Sequence, residues 1–350
     1  MSTKKNSSPK SVKSRLPKGK RALYITVSAV SVLCLLAGTV FCYGYSLLEK
    51  INYTALEDFD EVSSIHAESE ELGSLPEGAE EMEHFDPSTS QGPVISSADV
   101  QNILIIGADP RPGEKYGRSD TNMILSINRK EHTLKMTSIL RDTYVSIPGK
   151  SSNRVNAAHS WGGPKLLIET IEANFKIKID RYIKMDFSSF SKIIDLLGGV
   201  DITLTQAEAN YFKNTLGISV PAGPNHFNGE NALNYGRIRK IDSDFGRTQR
   251  QRNIIQSLIN RFKTASPATM IRLLNEAFPL FQTNLTKNEL LSLAGDSPAI
   301  MNYTISEMSL PQPNYYRYAR INSRDGPMDV MIPDLDANNQ ALHKFIYEDK

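Results

Sequence analysis

Arginine and aspartate residues recur in three short polar clusters, each beside a predicted strand or helix. The first cluster is Gly107–Arg111, the second combines Gly117–Asp120 with Arg141-Asp142, and the third extends from Arg237 to Gln251. Guanidinium groups match phosphate oxygens in pairs. Carboxylates suit Mg²⁺, which takes one or two of them together with substrate phosphates. Because both residue types are concentrated in the same clusters, the pattern favours phosphoryl transfer on a diphosphate.

A predicted β-hairpin connects the two parts of the second cluster. A turn centred between Lys130 and Glu131 joins strands 122–128 and 133–140 and places Asp120 opposite Arg141. Directly opposed residues have Cβ atoms about 5 Å apart, so these two side chains are within reach of each other. Two interpretations stay open at this point: a structural salt bridge, or parts of a phosphate and metal site.

The third cluster lies at the start of a helix predicted over residues 246–263. Arg247 and Gln251 are one helical turn apart, so they face the same way as the phosphate-binding amides at the helix N-terminus. Arg237 and Arg239 alternate, so both point to one side in an extended segment. The alternative is a local role, with Asp244 as the N-cap and Arg247 as a solvated side chain.

The charges of the 350-residue chain are segregated, although the formal net charge is only +1. Residues 1–21 carry eight basic side chains and no acid, and residues 22–48 carry no charge. A helix of that uncharged length would extend about 40 Å, which exceeds the ~30 Å hydrocarbon core. We therefore expect a basic cytoplasmic tail over 1–21 and an uncleaved transmembrane helix over 22–48, with a cleaved signal peptide as the alternative. The chain is then a single-pass cell-membrane protein with an extracellular C-terminal domain.

Composition also divides the part beyond the predicted span. Residues 49–97 are predicted to be an acidic extracellular linker, because they are rich in acids and poor in large apolar residues. From residue 98, strands and helices alternate, which predicts an α/β fold with a mixed central sheet and helices on both faces. We expect the catalytic core over 98–265 and the C-terminal part of the same domain over 266–350, with helices and a strand near 303–308. Other predicted segments are strands 182–187 and 200–204, and helices 164–174, 188–197 and one beginning near residue 228.

Several classes of protein are disfavoured. Only two cysteines occur, Cys34 and Cys42, and both fall in the predicted span, which excludes a disulfide framework or a multi-cysteine zinc module. The P-loop, kinase and penicillin-binding motif sets are each incomplete. A nucleic-acid partner is disfavoured, since the basic domain is predicted to lie outside the membrane.

The spaced motifs resemble those of the LytR-CpsA-Psr family of bacterial cell-envelope proteins, from about Asn102 to Lys263 and more weakly to the C-terminus. The segments that carry the resemblance are NILIIGADPR, GRSDTNMILSINR, TSILRDTYVSIPG, RVNAAHSWGG, LLGGVDITL, FNGENALNYGRIRK and DSDFGRTQRQR. The resemblance implies an α-β-α domain of the family's type and an extracytoplasmic phosphotransferase. Such an enzyme moves a glycopolymer (teichoic acid, capsule or a related polysaccharide) from a polyprenyl-diphosphate carrier to peptidoglycan.

The resemblance also implies roles for particular residues. The side chains that would contact the diphosphate are Arg118, Arg141, Arg237, Arg239, Arg247 and Gln251. Asp120 and Asp109 would hold Mg²⁺, with Mn²⁺ as an alternative metal. The catalytic residues would be Asp109, which orients or deprotonates the incoming sugar hydroxyl, Arg141, and Asp244, which orients an arginine. The prenyl chain would lie in an apolar tunnel that draws on residues such as Ile193, Ile194, Leu197 and Leu233.

Two other functions are compatible with the same residues. A polyprenyl-diphosphate hydrolase would use water in place of the sugar acceptor. A non-catalytic envelope sensor or regulator would bind the prenyl-linked polymer without turnover. Product formation that requires the acceptor distinguishes the transferase from both.

Overall fold

The structure is a computed structural model that describes residues 45–62, 78–83, 85–87, 90–239, 241–323 and 326–348. The chain divides into two units, residues 1–49 and 50–350. Within the first unit, residues 45–48 are helical, and the rest of the predicted transmembrane helix and the basic tail lie outside the described residues. In the part of the chain that is described, no helix combines the length and apolar character needed to cross a bilayer.

Residues 50–350 form an α/β unit. In chain order the strands are β1 Asn52–Tyr53, β2 Glu80–Met82, β3 Val100–Ala108, β4 Ser119–Asn128, β5 Thr133–Ile139, β6 Tyr144–Val145, β7 Asn153–Arg154, β8 Arg181–Met185, β9 Val200–Leu204, β10 Gly223–Phe227, β11 Gln282–Thr283, β12 Thr304–Leu310, β13 Tyr316–Ser323 and β14 Gly326–Pro333. The α-helices are α1 Val155–Phe175, α2 Phe187–Leu196, α3 Gln206–Leu216, α4 Gly229–Gly236, α5 Asp244–Lys263, α6 Pro267–Ala277, α7 Lys287–Ile300 and α8 Leu335–Tyr347.

The central sheet has seven strands in the order β1-β11-β8-β3-β4-β5-β12. It is mixed, because β3 pairs in parallel with β8 but antiparallel with β4, and β5 pairs antiparallel with β4 but in parallel with β12. In the β4–β5 hairpin Leu125 opposes Met136 and Ile127 opposes Leu134. This is the predicted register, and it confirms that positions 120 and 141 face each other just beyond the last paired residues.

Helices cover both faces of this sheet. On one face α1 and α8 pack against a buried cluster that includes Leu104, Ile124 and Tyr182. On the other face Ile103 and Leu134 belong to a cluster that residues of α5 and α7 complete. The mixed α/β architecture is therefore confirmed. Helix α1 begins earlier than the predicted 164–174 helix, because a kink at Gly162 and Gly163 joins it to a preceding helical segment.

Three smaller sheets accompany the central one in the described part of the chain, and the shortest is the antiparallel pair of β6 and β7. Strands β9 and β10, which are separated in the chain by α3, form an antiparallel pair whose apolar side packs with residues of α2, α3 and α5. Strands β14, β13 and β2 form a three-stranded sheet, whose core contains Ala319, Ile321 and Tyr144. The sequence predicts helices and a single strand in the tail. The structure also contains the β13–β14 hairpin, which the sequence analysis does not predict.

Parts of the predicted linker 49–97 join the folded unit. Strand β1 pairs in parallel with β11, and β2 pairs in parallel with β13. Phe59 is buried, and its ring lies 5.8 Å from that of Tyr116 and 6.0 Å from that of Tyr182. Average composition predicts poor folding for the whole segment, but a few apolar residues suffice to attach short stretches to an existing core.

The packing of α2 against α4 yields a prediction about stability. A Cβ atom at Gly229 would lie 2.0 Å from the carbonyl oxygen of Ser191, and the Gly229 amide donates to Asp195 at 2.7 Å. Gly229→Ala should therefore lower the free energy of unfolding by about 2 kcal/mol or more, because backbone must move to relieve the overlap. Urea denaturation measures the change. Gly295→Ala in α7 is the control, since an added Cβ would meet nothing within 4 Å, and we expect it to be neutral or stabilising by up to about 1 kcal/mol.

Candidate active site

A cleft with about 870 Å³ of empty space, its open mouth included, lies between the central sheet and helices α2, α4 and α5. Its polar lining consists of Asp120, Thr121, Arg141, Asp186, Arg237, Arg239, Arg247 and Gln251. Its apolar lining includes Ile105, Met123, Met185, Phe187, Phe190, Leu233, Ile254 and Ile255. The cleft therefore suits an amphiphile that has an anionic group at one end and a hydrocarbon chain at the other.

Arg141 follows β5 and is buried, with 9% of its surface exposed. Its Nη1 donates to Oδ1 of Asp120 at 2.7 Å, as the hairpin register predicts. Its Nε lies 3.5 Å from Oδ2 of Asp142 and 3.9 Å from Oδ2 of Asp244. Burial alone would lower the pKa of Arg141, but the three carboxylates outweigh burial and raise that pKa. This guanidinium is therefore a permanent positive charge at the cleft.

Asp244 is the first residue of α5 and brings arginines together. Its Oδ1 lies 3.4 Å from Nη2 of Arg247 and 3.8 Å from Nε of Arg239, and its Oδ2 faces Arg141. The helix N-cap is Ser243, so the alternative of Asp244 as the N-cap is wrong. Burial raises the pKa of Asp244 to about 6, and neighbouring Asp142 adds to the rise while Arg247 opposes it.

Arg247 is almost fully buried, with 3% of its surface exposed, so the alternative of a solvated side chain is wrong. Its Nε and Nη2 atoms are buried and have no hydrogen-bond partner among the described residues. Burial also lowers the pKa of this guanidinium. A buried cation with unused donors that lines a cleft is suited to an anion brought by a ligand.

Asp142 belongs to the second polar cluster of the sequence, but the family resemblance implies no role for it. Its carboxylate lies between two arginines, 3.5 Å from Nε of Arg141 and 3.4 Å from Nε of Arg154. Burial raises its pKa, but Arg141 and Arg154 outweigh burial and lower the pKa to about 2. The backbone amide of Met331 in β14 donates to the carbonyl of Asp142 at 3.0 Å. The sheet of β14, β13 and β2 thus holds the segment that carries Asp142, and the local sequence does not predict this contact.

The other predicted site residues divide into two groups. Arg237, Arg239 and Gln251 line the cleft, and the guanidinium of Arg237 lies 4.1 Å above the ring of Phe187. Asp109 is exposed at the end of β3, and Arg118 is half-buried just before β4. Within the described part of the chain, the lining of the cleft includes neither Asp109 nor Arg118.

The apolar end of the cleft differs from the predicted tunnel. Leu233 lines it, but Ile194 belongs to the core beside β9, and Ile193 and Leu197 pack near α6. The spacing of apolar residues along α2 does not tell which of them face a cavity and which face a core. Phe187 and Phe190, one helical turn apart on α2, take the place of the residues expected there.

The residues present fit a metal that is shared with a ligand. Among the described residues, no group of three or more histidine, cysteine or acidic side chains is placed to hold a metal by itself. Asp120 lines the cleft with 39% of its side chain exposed, and Arg141 occupies one of its oxygens. One carboxylate beside a phosphate-binding cluster is a suitable donor set for Mg²⁺, which takes its remaining ligands from phosphates and water.

The sequence of the chain is similar to one protein family and to named bacterial enzymes. The LytR_cpsA_psr family model matches residues 63–329. The polyisoprenyl-teichoic acid–peptidoglycan teichoic acid transferase TagU of Bacillus subtilis (strain 168) is 33% identical over 226 residues, which cover 64% of this chain and 70% of that protein. TagU of Bacillus licheniformis is 31% identical over 274 residues, which cover 77% of this chain and 79% of that protein.

Solved structures show the same fold. TagT bound to LIIa-WTA superimposes with a TM-score of 0.58 at 26% identity, over 79% of this chain and 99% of that one. TagV of B. subtilis superimposes with a TM-score of 0.58 at 30% identity, over 73% of this chain and 100% of that one. Both likenesses extend over nearly the whole of the solved chain.

Proposed function

The chain belongs to the LytR-CpsA-Psr family, and from this premise we propose that its cleft transfers a glycopolymer from a polyprenyl-diphosphate carrier to peptidoglycan. The observation that carries the proposal is Arg247, which lines the cleft and whose buried Nε and Nη2 donors have no hydrogen-bond partner among the described residues. A prenyl diphosphate has the matching polarity. The TagU relatives are named as transferases of teichoic acid to peptidoglycan, and a TagT structure holds a ligand named LIIa-WTA.

The chemistry assigned to the cleft is a displacement at phosphorus. A peptidoglycan hydroxyl attacks the phosphorus that bears the sugar, and prenyl phosphate leaves. Arg141, Arg247 and Arg239 neutralise the charge that grows on the phosphate oxygens. Asp244 keeps these guanidinium groups in place, since it lies within 4 Å of all three. Apolar residues such as Phe187 and Leu233 hold the prenyl chain.

The roles of Asp109 and of the membrane anchor stay part of the proposal. Asp109 is solvent-exposed at the end of β3, where it could meet an acceptor hydroxyl that enters from outside, and this supports the role of orienting or deprotonating that group. The charge pattern of residues 1–48 supports a single membrane span with a cytoplasmic N-terminus. That topology would put the cleft on the extracellular side, where peptidoglycan is found.

The decisive test uses the full chain in detergent micelles, with a prenyl-diphosphate-linked teichoic acid precursor, Mg²⁺ and undecorated peptidoglycan oligomers. Mass spectrometry follows the phosphodiester-linked product. Product that requires the acceptor supports the transferase. Release of prenyl phosphate without incorporation would replace the proposal with the hydrolase, and binding without turnover would replace it with the sensor.

A metal requirement is a separate prediction. Mg²⁺ would neutralise phosphate charge at Asp120, and Asp109 could hold it only from outside the cleft lining. We expect chelation by EDTA to abolish transfer, and Asp120→Asn to raise the Mg²⁺ concentration for half-maximal activity by about 10- to 100-fold. Manganese should substitute for Mg²⁺. The control is Asp201→Asn in β9, whose carboxylate is 66% exposed and pairs with His226. Unchanged Mg²⁺ dependence in a folded Asp120→Asn variant would remove Asp120 as the ligand.

A further inference from the structure

Three aromatic rings form a continuous, partly exposed surface next to the arginine cluster. The ring centroids of Tyr316 and Tyr318 are 5.2 Å apart at an interplanar angle of 89°, and those of Phe245 and Tyr316 are 5.7 Å apart. We call Phe245, Tyr316 and Tyr318 the aromatic platform. It adjoins the cleft because Phe245 directly follows Asp244, which contacts the cleft arginines.

The aromatic platform is not part of the core of the three-stranded sheet, because its two tyrosines lie on the opposite face of that sheet. Alternate residues of a strand point to opposite faces. Ala319 and Ile321 of β13 point into the core with Tyr144, whereas Tyr316 and Tyr318 point the other way. On the platform's side of the sheet, Arg320 forms an ion pair with Asp329, with 2.7 Å between Nε and Oδ1. Flat apolar rings are thus bordered by hydrogen-bonding groups of both signs.

This combination of groups suits a carbohydrate. A pyranose ring has an apolar face of C–H groups that packs on the electron-rich face of an aromatic ring. Its hydroxyl and acetamido groups need hydrogen-bond partners at the edge of that face, as Arg320 and Asp329 supply. Burial and the neighbouring Tyr316 raise the pKa of Tyr318, and the charges of Asp244 and Asp142 add to the rise. Because Phe245 of the platform directly follows Asp244, a sugar on the platform would lie near the carboxylate that contacts the cleft arginines.

The proposed reaction involves two carbohydrates, the teichoic acid of the donor and the glycan strand of the acceptor, and charge indicates which of them the platform binds. The charged groups around the platform are paired: Asp329 with Arg320, which also lies in register with Glu81, and Asp244 with the cleft arginines. Paired charges of this kind offer no excess of cations to a polyanionic teichoic acid, and they suit a neutral glycan strand. An in-line displacement also requires the acceptor to approach opposite the leaving prenyl phosphate, whose hydrocarbon chain the apolar lining of the cleft would hold.

Resting on the function proposed above, we propose that the aromatic platform of Phe245, Tyr316 and Tyr318 binds the glycan strand of the peptidoglycan acceptor beside the diphosphate. The platform is an acceptor subsite, separate from the arginines that hold the donor. Its loss should weaken use of the acceptor and leave donor binding unchanged.

Steady-state kinetics of the full chain in detergent test this subsite. Tyr316→Ala and Tyr318→Ala should each raise the KM for undecorated peptidoglycan oligomers on the order of tenfold, with little change in kcat or in the Kd of the donor lipid. Tyr318→Phe should behave as the wild type, and Tyr318→Leu, which keeps apolar volume without a ring, should behave as Tyr318→Ala. Tyr315→Ala is the matched control, because that side chain is 43% exposed and directly precedes β13.

A binding experiment separates this inference from the proposed function. Isothermal titration of undecorated peptidoglycan oligomers into the chain without donor needs no turnover. Binding that Tyr316→Ala and Tyr318→Ala both weaken supports the platform even if the wild type transfers nothing. Equal oligomer affinity in all variants would overturn it. So would a platform that instead binds lipid-free teichoic acid, or a raised donor Kd in the variants, since either would make it a donor site.

Discussion

Arg247→Met should abolish transfer while leaving the protein at least as stable as the wild type. Arg247 is buried 3.4 Å from Asp244, and two of its guanidinium nitrogens have no hydrogen-bond partner among the described residues. Its burial therefore costs free energy that this ion pair offsets only in part and that a bound anion would offset further. A methionine fills similar volume without that cost, and Asp244 still has Arg141 and Arg239 nearby. Without the guanidinium, the transferring phosphate loses paired donors, so we expect kcat/KM to fall at least about a hundredfold.

Two measurements on the same preparation check this result. Thermal unfolding should give a Tm equal to or above that of the wild type, and the transfer assay should give little or no product. The matched control is Arg129→Met, because Arg129 is 40% exposed and pairs with Asp296 away from the cleft. The control should keep activity within about twofold. Activity near the wild-type level in Arg247→Met, or a large loss of stability, would show that Arg247 serves the fold instead of the ligand.

Asp142→Asn should have the largest effect on stability among substitutions at the site. The wild-type carboxylate lies within 3.5 Å of both Arg141 and Arg154, which are buried. Removing its charge leaves two buried cations with less compensation, which typically costs about 3–5 kcal/mol. Guanidinium chloride denaturation at neutral pH measures the loss. Asp296→Asn, at an ion pair that is 43% exposed, is the control and should change stability by less than about 1 kcal/mol.

Asp244 and its neighbour Asp142 together predict how donor binding depends on pH. Burial raises the pKa of Asp244 to about 6, above the ordinary value of 3.8. Protonated Asp244 therefore adds stability that is fully present below pH 3.8 and is lost as the pH rises through about 6. A bound diphosphate adds negative charge beside Asp244 and favours its proton further. Donor affinity should thus fall as the pH rises through this range, by up to about tenfold.

Asp142→Asn also tests the origin of this pH dependence. Because Asp142 raises the pKa of Asp244, its neutralisation should move the pH dependence of donor binding to lower pH. Isothermal titration with the donor lipid at a series of pH values measures the shift. A midpoint that stays in place in Asp142→Asn would show that burial alone sets the pKa of Asp244.

Local sequence rules predict the parts of the site that lie close together in the chain. A short polar turn sets the register of the β4–β5 hairpin, so the contact between Asp120 and Arg141 can be found by counting residues. Strand β9 is predicted at its observed bounds of Val200–Leu204, but its sheet is not, because periodicity does not identify the strand's partner. The β13–β14 hairpin is missed, although Asp325-Gly326 is a common turn signal between two runs of strand-forming residues.

Contacts between distant segments are beyond these rules. Asp142 depends on Arg154 and on the amide of Met331, and neither is near it in the sequence. The same limit applies to the apolar lining, because Phe190 in the cleft and Ile194 in a core lie on one helix. Which face of a helix meets a cavity is decided by the elements packed around it.

Asp142 and Arg154 are attached to β14, and this attachment determines when the site can form during synthesis of the chain. Arg154 donates to the carbonyl of Asp329 at 2.7 and 3.0 Å, and Met331 donates to Asp142. Synthesis proceeds from the N-terminus, so Arg141 is made long before the strand that holds its partners in place. A nascent or prematurely terminated chain that ends before β14 therefore carries every cleft arginine but lacks the strand that holds Asp142 and Arg154, so we expect its cleft to stay incomplete.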